Sequence, residues 1–212
     1  MELYFSPLAC SMATRIALYE EGLTSAFIGV DTRAKKLDDG SDFLEINPMG
    51  QVPVLRTDDG ELLTENAAVL QYVGDRKPQS GLTPPQGMQR YRLQQWLNFV
   101  ASELHKVVFI PLLDPSYPQE AKGYPREKAT QRLEYLNRYL QGRDYLLDRF
   151  TVADAYLITV LNWARFVGPE LSQWTAVNGY VERMGERPSV ARAMAEETAL
   201  YHEQQARRAA AR

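Results

Sequence analysis

The chain has 212 residues, 45% hydrophobic and 24% charged, enough for one large globular domain or two small ones with separate cores. Its formal net charge of −3 gives no electrostatic case for a nucleic-acid partner or an anionic membrane, and the one basic cluster, Arg207-Arg208 to Arg212, reads as a solvated end. No run approaches the roughly 18 apolar residues of a membrane helix, and the first seven residues lack the basic start and apolar core of a signal peptide, so a cytoplasmic location is expected.

In chain order, residues 2–5 predict a strand that Ser6-Pro7 breaks. Met12, Ile16 and Tyr19 then recur at helical spacing over 11–21, with Gly22 placed to end the helix. A second strand follows at 26–30 and a short helix at 42–46, stopped by Asn47-Pro48. Residues 52–57 and 61–64 flank Asp58-Asp59-Gly60, a strong hairpin signal, and 66–75 predict another helix. A strand-helix-strand start implies a parallel pair, and the hairpin adds antiparallel strands, giving a mixed four-stranded sheet. Pro78, Gly81, Pro84, Pro85 and Gly87 mark a linker over 77–87. Everything beyond it is helical in pattern. Leu93, Trp96, Leu97, Val100, Leu104, Val107 and Val108 make an apolar face, which Pro111 ends or kinks. Further helices are predicted at 126–141, from Thr151, at 178–186 and at 189–201.

Five segments have residue types suited to chemistry or to fixing it in place. Cys10, the only cysteine, stands between a strand and a helix, where unpaired N–H groups and the positive helix end favour a thiolate; the alternative is a small packed side chain. Alone it excludes an internal disulfide and a dithiol mechanism, and with only His105 and His202 beside it no metal site is expected. Ser11 is either the helix cap or a hydroxyl donor to that sulfur. Pro53, directly before Val54-Leu55, is awkward in a strand; a cis Val52–Pro53 bond would turn the Val52 N–H and C=O toward an extended peptide-like ligand, the alternative being a trans proline on an edge strand. Thr64-Glu65-Asn66 lies where the hairpin enters a helix, and suits either a ligand carboxylate with an ammonium beside it or simple capping. Asn98, Ser102 and His105 fall on one helical stripe, either solvated or facing a cleft where His105 would meet a sulfur anion or donate a proton. Phe150 with Thr151 to Asp154 has the spacing of a capping box and a hydrophobic staple, a structural signal.

Taken together, these segments resemble the cytosolic glutathione transferases, most closely the bacterial beta class. The likeness is carried by Leu3-Tyr4 to Pro7 with Ala9-Cys10-Ser11, by Asn47-Pro48, Gly50-Gln51-Val52-Pro53 and Leu62-Leu63-Thr64-Glu65, and by Trp96-Leu97-Asn98, Glu103-Leu104-His105-Lys106 and Phe150 to Tyr156. It runs in order at matching spacing as far as about Leu200. The resemblance implies a thioredoxin-like α/β domain over 1–76 and an all-helical domain over 88–212, in a homodimer. It implies glutathione as co-substrate and no metal. Gln51, Val52 and cis Pro53 would hold its cysteinyl part, Glu65 and Asn66 its γ-glutamyl end, and Lys35 its glycyl carboxylate. Asn98, Ser102 and Glu103 would line the cleft, and Cys10 and His105 would serve the sulfur. Phe109, Pro111 and Trp163 would border a small hydrophobic electrophile. One departure stands out: beta-class members usually have serine or threonine where this chain has Asn66, so a hydroxyl contact to the γ-glutamyl carboxylate becomes an amide contact. The implied activity is conjugation of the glutathione thiol, with thiol-disulfide exchange through Cys10 as a second activity. A non-catalytic ligand-binding or interaction protein on the same fold is the rival, which has no need of Cys10, Val52-Pro53, Glu65 and His105 together.

Overall fold

The computed structural model describes residues 1–210, so Arg212 of the basic tail lies outside the described residues. The chain divides into two compact units, one of Met1–Ser80 together with the segment from Pro188 onward, the other of Gly81–Arg187.

In the first unit, β1 (Glu2–Phe5), β2 (Ala26–Asp31), β3 (Lys36–Leu37), β4 (Val54–Arg56) and β5 (Leu62–Leu63) form one sheet in the order β3-β2-β1-β4-β5. The β1 and β2 strands pair in parallel and the other neighbours pair antiparallel. Beside the four expected strands, β3 is a two-residue edge, too short and too polar to show in the hydropathy pattern. Alternation along the strands sorts side chains onto two faces. Tyr4, Val30 and Val54 close over Phe43 on one. On the other, Phe5 and Phe27 meet edge-on, and Tyr19 packs on Phe27.

The helices of this unit are α1 (Met12–Glu20), α2 (Asn66–Asp75) and, at the end of the chain, α9 (Pro188–Ala210). Because α2 and α9 both pack on α1, every residue from Met12 to Leu18 is buried. The sequence places 188–212 in the helical domain and its boundary at 76–87. The structure instead groups α9 with the first unit and divides the chain after Ser80. Here α9 packs along α1 with Val190 and Ala193 buried, and two ion pairs join it to this unit, Arg15 with buried Glu197 and Arg208 with Asp31. The second also shows that Arg208 is no loose solvated end.

The second unit holds α3 (Met88–Asn98), a π-helical segment Phe99–Phe109, α4 (Ile110–Leu113), α5 (Gly123–Leu140), α6 (Val152–Leu161), α7 (Ala164–Val167) and α8 (Thr175–Gly185). Pro111 does not break the rod formed by the first three, because it sits in the first turn of α4, where a missing N–H costs little. That rod, Met88–Leu113, is long and apolar enough to cross a membrane by length and composition, which the sequence does not single out. Its Leu93, Leu97, Val100, Leu104 and Val108 are buried. Every residue of α6 is buried as well, and its start is fixed by the expected capping box of Thr151 and Asp154. Asp154 also accepts from Leu146 N–H at 2.9 Å and the Tyr180 hydroxyl at 3.1 Å.

Candidate functional site

The turn between β1 and α1 presents Cys10. Ala9 N–H donates to the Ser6 carbonyl, and Met12 N–H to the Ala9 carbonyl, so the backbone coils before the helix begins. Ser11 does not cap α1 with its side chain; its hydroxyl donates to the Ser6 carbonyl and accepts from Ser6 N–H, both at 3.3 Å. Cys10 is 9% exposed, and its thiol donates to the Val52 carbonyl at 3.2 Å. The Val52–Pro53 bond is cis.

Around Val52 the chain is held from both sides. Asn47 donates from its amide to the Gln51 carbonyl at 2.7 Å and accepts from Met49 N–H at 3.1 Å. The Lys35 ammonium donates to the Gly50 carbonyl at 2.9 Å. Gly50 adopts φ +59, a conformation that glycine takes without strain, and the end of the Lys35 side chain lies close beside it. Gln51 is exposed and Val52 half-buried. Glu65 is exposed at the N-cap of α2 with φ 64, a left-handed conformation uncommon outside glycine, and its carboxylate makes no capping bond. Asn66 follows with its side chain turned inward. Its amide donates to the Cys10 carbonyl at 3.1 Å, and its oxygen accepts from the Thr14 hydroxyl at 3.3 Å. The expected amide contact to a ligand carboxylate is therefore replaced by a tie to the Cys10 turn, which leaves the first-turn N–H groups of α2 to meet an anion.

In the second unit the expected polar stripe breaks up. Asn98 and Ser102 are exposed, and the Ser102 hydroxyl donates back to the Asn98 carbonyl at 2.9 Å. His105 is 5% exposed, its Nδ1 lying 2.6 Å from the Tyr156 hydroxyl and its ring edge-on to Trp163. Burial, reinforced by Lys106, pulls its pKa down to about 3, so the imidazole is neutral at neutral pH. The stripe fails because it assumes α-helical turns, whereas hydrogen bonds in a π segment close one residue later and rotate the faces. Glu103 is engaged by Arg132, whose Nε and Nη2 reach one carboxylate oxygen at 2.9 and 2.5 Å. Phe109 and Trp163 are buried against each other, and only Pro111 of the three expected to border an electrophile is partly open. A cleft of about 360 Å³ opens elsewhere, between α3 and α5, lined by Trp96, Phe99, Glu103, Arg132 and Tyr135 among others. Among the described residues no group of three or more His, Cys, Asp or Glu is placed to hold a metal ion.

Glu197 is the residue that sequence reasoning missed. It is fully buried on α9 and accepts from Leu8 N–H at 2.7 Å and from Arg15 Nε at 2.9 Å. Burial pushes its carboxyl up to about 7, against the opposing pull of Arg15 and Leu8 N–H. A signal existed: Val190, Ala193 and Glu197 share one helical stripe, so a carboxylate lies in line with apolar positions.

Comparison with known proteins bears on the same segments. The family model "Glutathione S-transferase, N-terminal domain" matches residues 9–76, and "Glutathione S-transferase, C-terminal domain" matches 99–188. Glutathione S-transferase GstA of Escherichia coli O157:H7 is 42% identical over 199 residues, covering 93% of this chain and 98% of that protein. The solved structure of a sphingomonad glutathione S-transferase complexed with glutathione superposes with a TM-score of 0.89 at 42% identity, over 93% of this chain and 99% of that one. A bacterial beta class glutathione S-transferase of Sphingomonas chungbukensis gives 0.89 at 41% identity, over 93% and 98%.

Proposed function

The chain is an enzyme of the glutathione S-transferase family, beta class, and on that premise we propose that it joins the glutathione sulfur to small hydrophobic electrophiles, with glutathione lying along the first unit. The observation that carries this reading is the 3.2 Å bond from the Cys10 thiol to the Val52 carbonyl, which sets a sulfur against the backbone edge suited to an extended peptide. Val52 N–H and C=O take the cysteinyl part. The N-terminus of α2 takes the γ-glutamyl carboxylate, and Glu65 the ammonium beside it. Its strained backbone fits that role, since such outliers persist where the fold over-determines them. Lys35, now on the Gly50 carbonyl, stands one residue from Gln51 and takes the glycyl carboxylate.

The glutathione thiolate attacks the electrophilic carbon, the carbon–sulfur bond forms as the leaving group departs, and the thiol proton passes to solvent. With oxidised glutathione the Cys10 sulfur attacks instead: one disulfide breaks, a Cys10–glutathione disulfide forms, and one glutathione leaves as the thiol. A second glutathione then releases the protein. No other cysteine in the chain competes for this adduct. A cytoplasmic homodimer is the form in which we expect it to work.

Calorimetry with glutathione, turnover of an aryl halide and intact-mass spectrometry after oxidised glutathione test the reading together. Binding, turnover and a single adduct are expected. Cys10→Ala should lose the adduct and retain part of the turnover. A wild-type chain that neither binds glutathione nor turns over the halide refutes the function, while turnover without any adduct removes only the exchange activity.

A further inference from the structure

The turn that carries Cys10 contains a leucine, Leu8, at φ 59, a conformation that costs backbone energy unless the surroundings impose it. What holds it comes from the far end of the chain. Leu8 N–H donates to Glu197 Oε2 at 2.7 Å, across 189 residues. The other oxygen of the same carboxylate accepts from Arg15 Nε at 2.9 Å. Arg15 lies between the Phe5 and Phe27 rings, 4.4 and 3.9 Å from their centroids, and its Nη1 reaches Glu196 at 3.2 Å and the Tyr19 hydroxyl at 3.3 Å. An ion pair whose only work was to fasten α9 to α1 would need Arg15 and a carboxylate. This one spends its second oxygen on a backbone N–H two residues before the thiol.

We propose that Glu197 is a positioning residue for Cys10. Through Leu8 N–H it fixes the turn that aims the thiol at Val52, and so sets the reactivity of the sulfur. The proposal rests on the reading that Cys10 faces the glutathione sulfur.

Two double variants separate positioning from fastening. Arg15→Met with Glu197→Met replaces the pair by apolar side chains, a change that often preserves stability, and takes the carboxylate acceptor away from Leu8 N–H. Arg15→Met with Glu197→Gln is equally free of the ion pair but keeps an oxygen for Leu8 N–H. The readout is the rate and pH profile of Cys10 alkylation by iodoacetamide, followed by intact mass, which needs no glutathione and so stands apart from the functional reading. We expect the Gln form to stay within about twofold of wild type, and the Met form to differ by about tenfold with a displaced profile, the effect of one buried hydrogen bond. Both forms behaving alike overturns the proposal. Amide hydrogen exchange on the wild type guards against variants that fail to fold. Leu8 N–H should exchange slowly, and fast exchange there overturns the proposal whatever the variants do.

Discussion

Asn66 and Glu65 are neighbours, one buried and the other exposed. The Asn66 amide is spent on the Cys10 carbonyl and on Thr14, so Asn66→Ala removes a buried partner from the turn and should cost about 1–3 kcal/mol of local order. Its expected kinetic signature is a fall in kcat with the glutathione Kd changed by no more than about threefold, because the helix N–H groups remain. Glu65→Ala removes the proposed ammonium partner and should weaken glutathione binding at least about tenfold. Calorimetry beside steady-state kinetics checks both, and the reverse ranking means the γ-glutamyl end lies elsewhere. His105 makes a different prediction, because its folded pKa is depressed. Stability from the neutral imidazole is fully present above pH 6.5 and is lost as pH falls from 6.5 toward about 3. Between pH 7 and 5 that loss comes to about 2 kcal/mol. His105→Gln, which keeps a polar partner for Tyr156, should flatten the urea-measured stability profile over this range by about that amount. Glu197 runs the other way, its contribution being lost as pH rises from 4.5 toward about 7, but it is common to both proteins and cancels.

At the scale of elements, α6 depends on one carboxylate. Asp154 accepts from Thr151 N–H and hydroxyl, Leu146 N–H and the Tyr180 hydroxyl. Asp154→Ala strands the Thr151 and Leu146 donors in a fully buried place, leaving the Tyr180 hydroxyl only the Asp154 carbonyl at 3.5 Å, so a loss of about 3–5 kcal/mol is expected in urea unfolding, against about 1–2 kcal/mol for Thr151→Ala. This box was legible because its spacing is local, as were α2 to the residue and the 58–60 turn. The Cys10 turn, the bend at Val52 and the helix start at Glu65 were legible for the same reason: each stands at a junction between elements whose types could be read from short windows. Three features were not. The π segment is invisible because the sequence pattern carries the α period, and it is what sends His105 inward while Asn98 and Ser102 stay in solvent. The inward turn of Asn66 depends on where Thr14 and Cys10 arrive from another part of the chain. The grouping of α9 with the first unit brings Glu197 to Arg15, which lies among apolar residues of α1 and declares its partner only in three dimensions.

For the whole molecule, the exposed aromatics Tyr91 and Tyr135 and the cleft between α3 and α5 offer apolar surface of the kind that self-association covers. Light scattering is expected to give twice the 24.1 kDa chain mass, and Tyr135→Glu to shift it toward the single-chain value. A monomer mass for the wild type at micromolar concentration would sink the dimer. The long-range hold on Leu8 also has a consequence for biosynthesis. A domain whose parts are contiguous can fold while the ribosome is still translating the rest of the chain, but this first unit is interrupted by the whole of the second. Its acceptor for Leu8 N–H is made 189 residues after the donor, an interval of roughly ten to forty seconds at common elongation rates. Until then Leu8 N–H lacks this carboxylate, so a nascent chain arrested before Glu197 should carry a Cys10 that reacts unlike that of the finished protein.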